Sequence, residues 1–221
     1  MLNRYREVDV CKEDINQFIS FVKMEDVSDT DLACIAKGIL FIKKAYAFPE
    51  KKQEHYYNCL VTDMISLMDS FKKSSLRVYY TFFRSVIENF VRVVLRYENI
   101  NATGVRNMFT ELRNRYTYSK EFIDYVEGEY GKCCEVIHSN YNADLKMYQY
   151  YEEIVKSDEL SMENKVMLIK QLVTFYKSCK KFIVNNECMQ ISSAFHNQKE
   201  VLYYLLGKKL YEVYAKNNKS L

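Results

Sequence analysis

Five glycines and a single proline, Pro49, in 221 residues leave this chain few ways to turn sharply. Average usage would put roughly fifteen glycines and eleven prolines in a chain of this length. Tight turns between strands consume such residues, because glycine adopts positive φ without steric penalty and proline pre-sets a turn. Long helices need neither in their interiors, where both are costly. The chain is therefore expected to be all-α, and a hydrophobic content of 48% suffices for a sizeable core. One helical domain over residues 1–221, built as a multi-helix up-and-down bundle, is the expected architecture.

Apolar periodicity places the helices. Ile15, Phe18, Ile19 and Val22 recur at three and four across 10–24. Ser28 is placed to cap a second helix, with Asp31 at capping-box spacing and Leu32, Ile35, Ile39 and Ile42 on its stripe. Pro49 ends that helix and suits the start of a third, over 50–73, which carries Tyr56, Leu60, Met64, Leu67 and Phe71 along one side. Ser74 or Ser75 caps a fourth over 75–98. Val78, Phe82, Val86, Phe90, Val91, Val94 and Leu95 make it apolar over most of its circumference, as a central helix should be. A loop at 99–104 precedes a short helix ending near Tyr116, then one from Ser119 to His138 and one over 142–156. Gly128 and Gly131 predict a kink or a close backbone contact within the Ser119–His138 helix. Two long helices, 161–185 and 189–216, close the chain.

Seven cysteines, odd in number and without framework spacing, fit free thiols in a reducing compartment. The polar opening from Met1 to Asp9 does not read as a secretory leader, and no apolar run approaches the roughly 18 residues that span a bilayer. A cytoplasmic location with no membrane partner is expected. No Cys-x-x-Cys occurs, and His55, His138 and His196 are scattered, so no metal site is expected. No glycine loop cradles phosphate, and no cofactor is expected.

Charge alternates along the chain. Residues 72–115 hold nine lysines and arginines against three acids, and residues 119–163 hold four against eleven. Residues 164–181 then carry Lys165, Lys170, Lys177, Lys180 and Lys181 with no acid. Such alternation gives either a positive face that engages phosphates or helices of opposite sign that solvate and pair. Twenty tyrosines and thirteen phenylalanines offer stacking surfaces for bases or, at helical spacing, core.

Two places carry candidate chemistry. Arg84 and Glu88 lie four apart in the fourth helix, spaced to pair or to form a buried network that fixes helix register. His138 closes its helix at the negative end of the macrodipole, which favours the imidazolium form. Metal-free RNA cleavage needs one group to take the 2′-hydroxyl proton, one to protonate the leaving oxygen, and positive charge on the phosphate. His138 offers the base or acid, Lys132 and Arg84 the positive charge, and Glu135 an orienting carboxylate three residues before the ring. Six positions set Lys132 and His138 about 120° apart on an ideal helix. Convergence then requires an irregularity at Gly128 and Gly131, the reach of the lysine, or a neighbouring subunit.

The segments Arg84-Ser-Val-Ile-Glu88-Asn-Phe-Val-Arg92 and Tyr130-Gly-Lys132-Cys-Cys-Glu-Val-Ile-His138-Ser resemble the HEPN superfamily (higher eukaryotes and prokaryotes nucleotide-binding domain), in the manner of bacterial abortive-infection and conflict-system members. The likeness covers residues 30–156, and residues 160–217 read as a C-terminal helical extension. It implies an HEPN-like bundle with additional N- and C-terminal helices that pairs as a homodimer. It also implies a metal-independent endoribonuclease of antiviral defence or a toxin–antitoxin system, with RNA as substrate and a protein of that system as partner. The superfamily's usual signature is Arg, four to six residues, then His. Here Lys132-x5-His138 has Lys for Arg, and Cys133 stands where a polar residue is common. Lysine keeps the charge but loses the planar fork that grips phosphate twice. The alternative is a catalytically inactive helical module that binds a partner effector protein or nucleic acid.

Overall fold

A computed structural model of the chain describes residues 2–47, 50–73, 75–138 and 146–219, without the side chains of 2–5, 150, 153–155 and 157. Among these residues there are eleven α-helices and no strand. In chain order they are α1 (Leu2–Val22), α2 (Asp29–Ala45), α3 (Glu54–Ser70), α4 (Leu76–Val94), α5 (Val105–Arg115), α6 (Lys120–Ile137), α7 (Met147–Asp158), α8 (Met162–Asn186), α9 (Cys188–Ala194), α10 (Lys199–Leu206) and α11 (Lys208–Lys219). The all-α expectation holds. The chain divides into two compact units, one of Met1–Pro49 with Val166–Leu221 and one of Glu50–Lys165. Helix α2, which falls within the 30–156 segment of the resemblance, packs with α1, α9 and α10 in the first unit.

The second unit is organised around α4, which packs against α3, α5 and α6. Tyr79, Phe83, Val86, Ile87, Phe90, Val91 and Val94 of α4 are buried. Facing them, α3 buries Tyr56, Leu60, Met64 and Leu67, and Phe71 just beyond it is buried too, so the stripe expected for this helix is the core stripe. Edge-to-face aromatic pairs join the elements: Phe71 with Tyr79, Phe90 with Phe122, and Phe109 with Tyr130. Ser75 caps α4 by accepting from the Val78 amide at 3.1 Å. The Asp158 carboxylate accepts from Ser75 Oγ and from the Arg77 amide, both at 2.6 Å. A carboxylate at the positive end of the α4 dipole is a stabilising placement.

In the first unit, α8 buries Leu168, Ile169, Leu172, Phe175, Tyr176, Cys179 and Ile183. It crosses α2 at Gly38, where an added Cβ would lie 2.6 Å from the Tyr176 Cβ. That glycine permits a close approach no larger residue allows. Ser28 caps α2 as expected, accepting from the Thr30 amide at 3.2 Å. Phe41 stacks on Phe195 with ring centroids 6.0 Å apart, and Gln190 donates to the Ala45 carbonyl at 2.9 Å.

Two expectations need correction, and one of the two alternatives offered at Gly128 and Gly131 is removed. Helix α4 ends at Val94 rather than near 98, because Arg96 adopts φ of 59° and stops the helical path. The last helix, expected over 189–216, is three helices, broken at residues 195–198 and again at Gly207, whose φ is 75°. Helix α6 runs through both Gly128 and Gly131, and among the described residues nothing lies within 4 Å of a Cβ built at either. Neither glycine marks a close backbone contact. The expected stop at Ser139 and Asn140 lies outside the described residues, as does the start of the helix expected from 142.

Gly38→Ala should destabilise the chain by about 1–3 kcal/mol, since overpacking at the α2–α8 crossing outweighs alanine's helix preference of about 1 kcal/mol. A urea midpoint equal to or above wild type contradicts the close crossing. Burial also pushes the Cys179 thiol and the Tyr176 phenol well above their ordinary values of 9.0 and 10.0. The unfolded chain therefore loses these protons first, so their stabilisation is complete below pH 9 and declines as pH rises beyond it. Between pH 8 and pH 10 the urea midpoint should fall, each group contributing at most about 1.4 kcal/mol per pH unit. A flat profile over that range contradicts the burial of these groups.

Candidate functional site

Arg84 lies halfway along α4, on the side that meets α6. Its Nε donates to Tyr130 Oη at 2.9 Å, and its guanidinium carbon lies 5.3 Å from the Tyr130 ring centroid. Burial pushes the Tyr130 phenol up, while the Arg84 hydrogen bond and charge pull it down. The Arg84–Glu88 pair offered by their spacing does not form. Glu88 instead accepts from Arg92 Nε at 3.2 Å and Nη2 at 2.8 Å. A glutamate four residues before its cation is the favoured order on a helix, and Arg84 is already taken by Tyr130. Arg84 and Glu88 thus hold separate polar partners, and the network expected of their pairing is absent among the described residues. Arg92 also donates to the Thr103 carbonyl at 3.3 Å and lies over the rings of Tyr56 and Tyr97, at 5.0 and 5.8 Å. Beside it, the Tyr97 hydroxyl donates to Glu111 at 2.5 Å; burial, then that carboxylate, pushes the phenol up to about 12.

Lys132 is likewise engaged. Its Nζ contacts Glu129 at 2.7 Å, and the two side chains are 62% and 6% exposed respectively. A lysine at the surface thus neutralises a carboxylate inside the seam. Cys133, where the resemblance expects a polar residue, is buried, and burial drives its thiol well up. Its side chain belongs to the core.

Glu135 and His138 are exposed near the end of α6. The His138 amide donates to the Cys134 carbonyl at 2.9 Å, which makes His138 the C-cap of the helix. Among the described residues, no hydrogen bond or ion pair joins the His138 ring to Lys132, Arg84 or Glu135. Helical rise explains the separation. Tyr130, where Arg84 is held, is eight residues or about 12 Å from His138 along the axis, and Lys132 is about 9 Å away and 120° round.

One cation does reach this end of α6. Arg77 Nη1 donates to the Ile137 carbonyl at 3.3 Å, one residue before His138. Nothing in the local sequence marks Arg77 for this place. It stands 60 residues from Ile137, and only the packing of α4 on α6 brings it there.

Among the described residues, no group of three His, Cys, Asp or Glu side chains could hold a metal ion. On α3, His55 Nε2 lies 3.8 Å from Cys59 Sγ. No helix among the described residues is long and apolar enough to cross a membrane. No protein-family model matches the chain, and no curated protein or solved structure does either.

Removing Lys132 should cost the buried Glu129 carboxylate its ion pair with that ammonium. Lys132→Met is expected to cost about 1–3 kcal/mol, and adding Glu129→Gln should recover most of that loss. Additive losses in the double variant, measured by chemical denaturation, would show that Lys132 does not serve Glu129.

Proposed function

We propose that this chain is an HEPN-like helical module of a defence or toxin system that acts by binding a partner macromolecule and does not itself cut RNA. One observation carries this reading: both cations suited to phosphate are committed to internal partners, Arg84 to Tyr130 and Lys132 to Glu129. A phosphate reaching either would have to compete with the Tyr130 hydroxyl or with the Glu129 carboxylate, and each loss weighs against binding. Exposed Met147, Tyr148 and Tyr151 on α7 add support, since methionine and tyrosine are enriched where proteins meet.

A second reading, the metal-independent endoribonuclease, is favoured by one specific feature. Exposed His138 follows Ile137, whose carbonyl accepts from Arg77 Nη1 at 3.3 Å, so a cation from outside the expected set reaches this end of α6. On that reading His138 moves the proton, Arg77 faces the phosphate, and a second copy of the chain completes the site.

Purified protein incubated with RNA in EDTA separates the two. The binding module is expected to leave RNA intact at high protein concentration, with His138→Ala and Arg77→Ala indistinguishable from wild type. Wild-type cleavage that falls about 100-fold or more in His138→Ala would overturn the proposal and establish the nuclease.

A further inference from the structure

We infer that the C-terminal helices of the first unit form a sequence-independent docking site for a nucleic-acid phosphate backbone. The site stands outside the 30–156 segment that carries the resemblance, and it holds whether or not His138 is catalytic.

Three lysines of α8, Lys170, Lys177 and Lys181, are exposed. At about 100° and 1.5 Å per residue they fall within an arc of about 40° and span about 16 Å of helix. The opposite face holds buried Leu172, Cys179 and Ile183, so the stripe points to solvent because the helix has one place for its apolar side. Helix α11 repeats the pattern. Its Lys208, Lys209, Lys216 and Lys219 are exposed and lie within about 100° of arc, turned away from buried Tyr214, with Glu212 the one acid among them. Side-chain hydrogen bonds tie α11 to α8 and to α9. Asn217 of α11 donates to the Val184 carbonyl of α8 at 3.3 Å, and Ser192 of α9 donates to Asn218 at 2.6 Å.

Charge balance sets this surface apart. Residues 166–221 carry nine lysines against three glutamates, and Glu187 is buried. Several exposed lysines elsewhere meet acids, Lys12 with Asp9, Lys23 with Asp29, Lys52 with Glu98, and Lys72 with Asp69. Lys51 and Lys120 are exposed as single charges rather than as a stripe. Among the described residues no ion pair involves Lys170, Lys177 or Lys181. Behind the stripe, buried Lys180 donates to the Leu205 carbonyl at 3.4 Å; burial chiefly, then repulsion from Lys37 and Lys177, holds its ammonium below the usual range.

The occupant follows from chemistry. A row of point charges, without forked donors or a central apolar anchor, attracts a repeating anion and reads no sequence. A bilayer would require an exposed apolar face to insert, whereas Tyr214 on the apolar side of α11 is buried in the unit. A phosphodiester backbone needs only the charges.

Fluorescence anisotropy with a labelled single-stranded RNA of about 20 nucleotides and a DNA duplex of about 20 base pairs, across about 50–200 mM salt, tests the site. Wild type should bind both probes, with affinity falling steeply as salt rises. The triple variant Lys170→Glu, Lys177→Glu, Lys181→Glu should bind at least tenfold more weakly, and its salt slope on RNA should be shallower by about two. Glutamine at the same positions should give an intermediate loss, and circular dichroism should show all variants folded. A control triple of Lys51, Lys72 and Lys120 to Glu should keep wild-type affinity. The inference is overturned by absent binding at the lowest salt, by binding of one probe alone, by an equal loss in the control triple, or by capture on phosphatidylserine vesicles without nucleic-acid binding.

Discussion

Arg92 is only 10% exposed at its side chain, and the second unit closes around it. An uncompensated charge at such depth costs several kcal/mol, so the packing of α4 depends on what neutralises this guanidinium. Glu88 supplies the counter-charge from the preceding turn, Thr103 a carbonyl from the loop before α5, and Tyr56 and Tyr97 their ring faces. These contacts join α3, α4 and the segment leading to α5 around one side chain. Removing Glu88 would leave the apolar stripe of α4 intact but the charge inside it unanswered.

The same economy governs the other cations of the seam. Arg84 is held between its helix and α6 by the Tyr130 hydroxyl and ring, and Lys132 leans back over a carboxylate that the core has enclosed. In each case the positive group satisfies a polar neighbour created by folding. A phosphate-binding centre is built the other way, with donors left aimed at a place the ligand will fill. At Arg84 and Lys132 the α4–α6 seam satisfies its donors from within. His138 and Arg77 lie at its rim, where the helix ends.

Much of the scaffold was legible because helices write their burial into spacing. Tyr56, Leu60, Met64, Leu67 and Phe71 repeat at three and four and all are buried, and the Ser28 and Ser75 hydroxyls cap their helices as their positions imply. What failed was everything set by partners distant in sequence. Arg84 pairs across 46 residues and Arg77 across 60, and local spacing carries no trace of either. The closing helix also misled: its apolar repeat runs on through residue 207, and a lone glycine in such a pattern is tolerated often enough to be read as helix. Gly38 shows the reverse, since its helical position is ordinary and its reason, the Tyr176 side chain on α8, is visible only in three dimensions.

Arginine Nε–H signals in nitrogen-15 NMR report directly on whether the guanidinium groups of α4 are held within the fold. Arg84 and Arg92 are expected to give slowly exchanging Nε–H signals, as donors to Tyr130 and Glu88 should, and neither signal should move when a ribodinucleotide is added in excess. Rapid exchange of these protons with solvent, or a saturable shift on adding the dinucleotide, would contradict this.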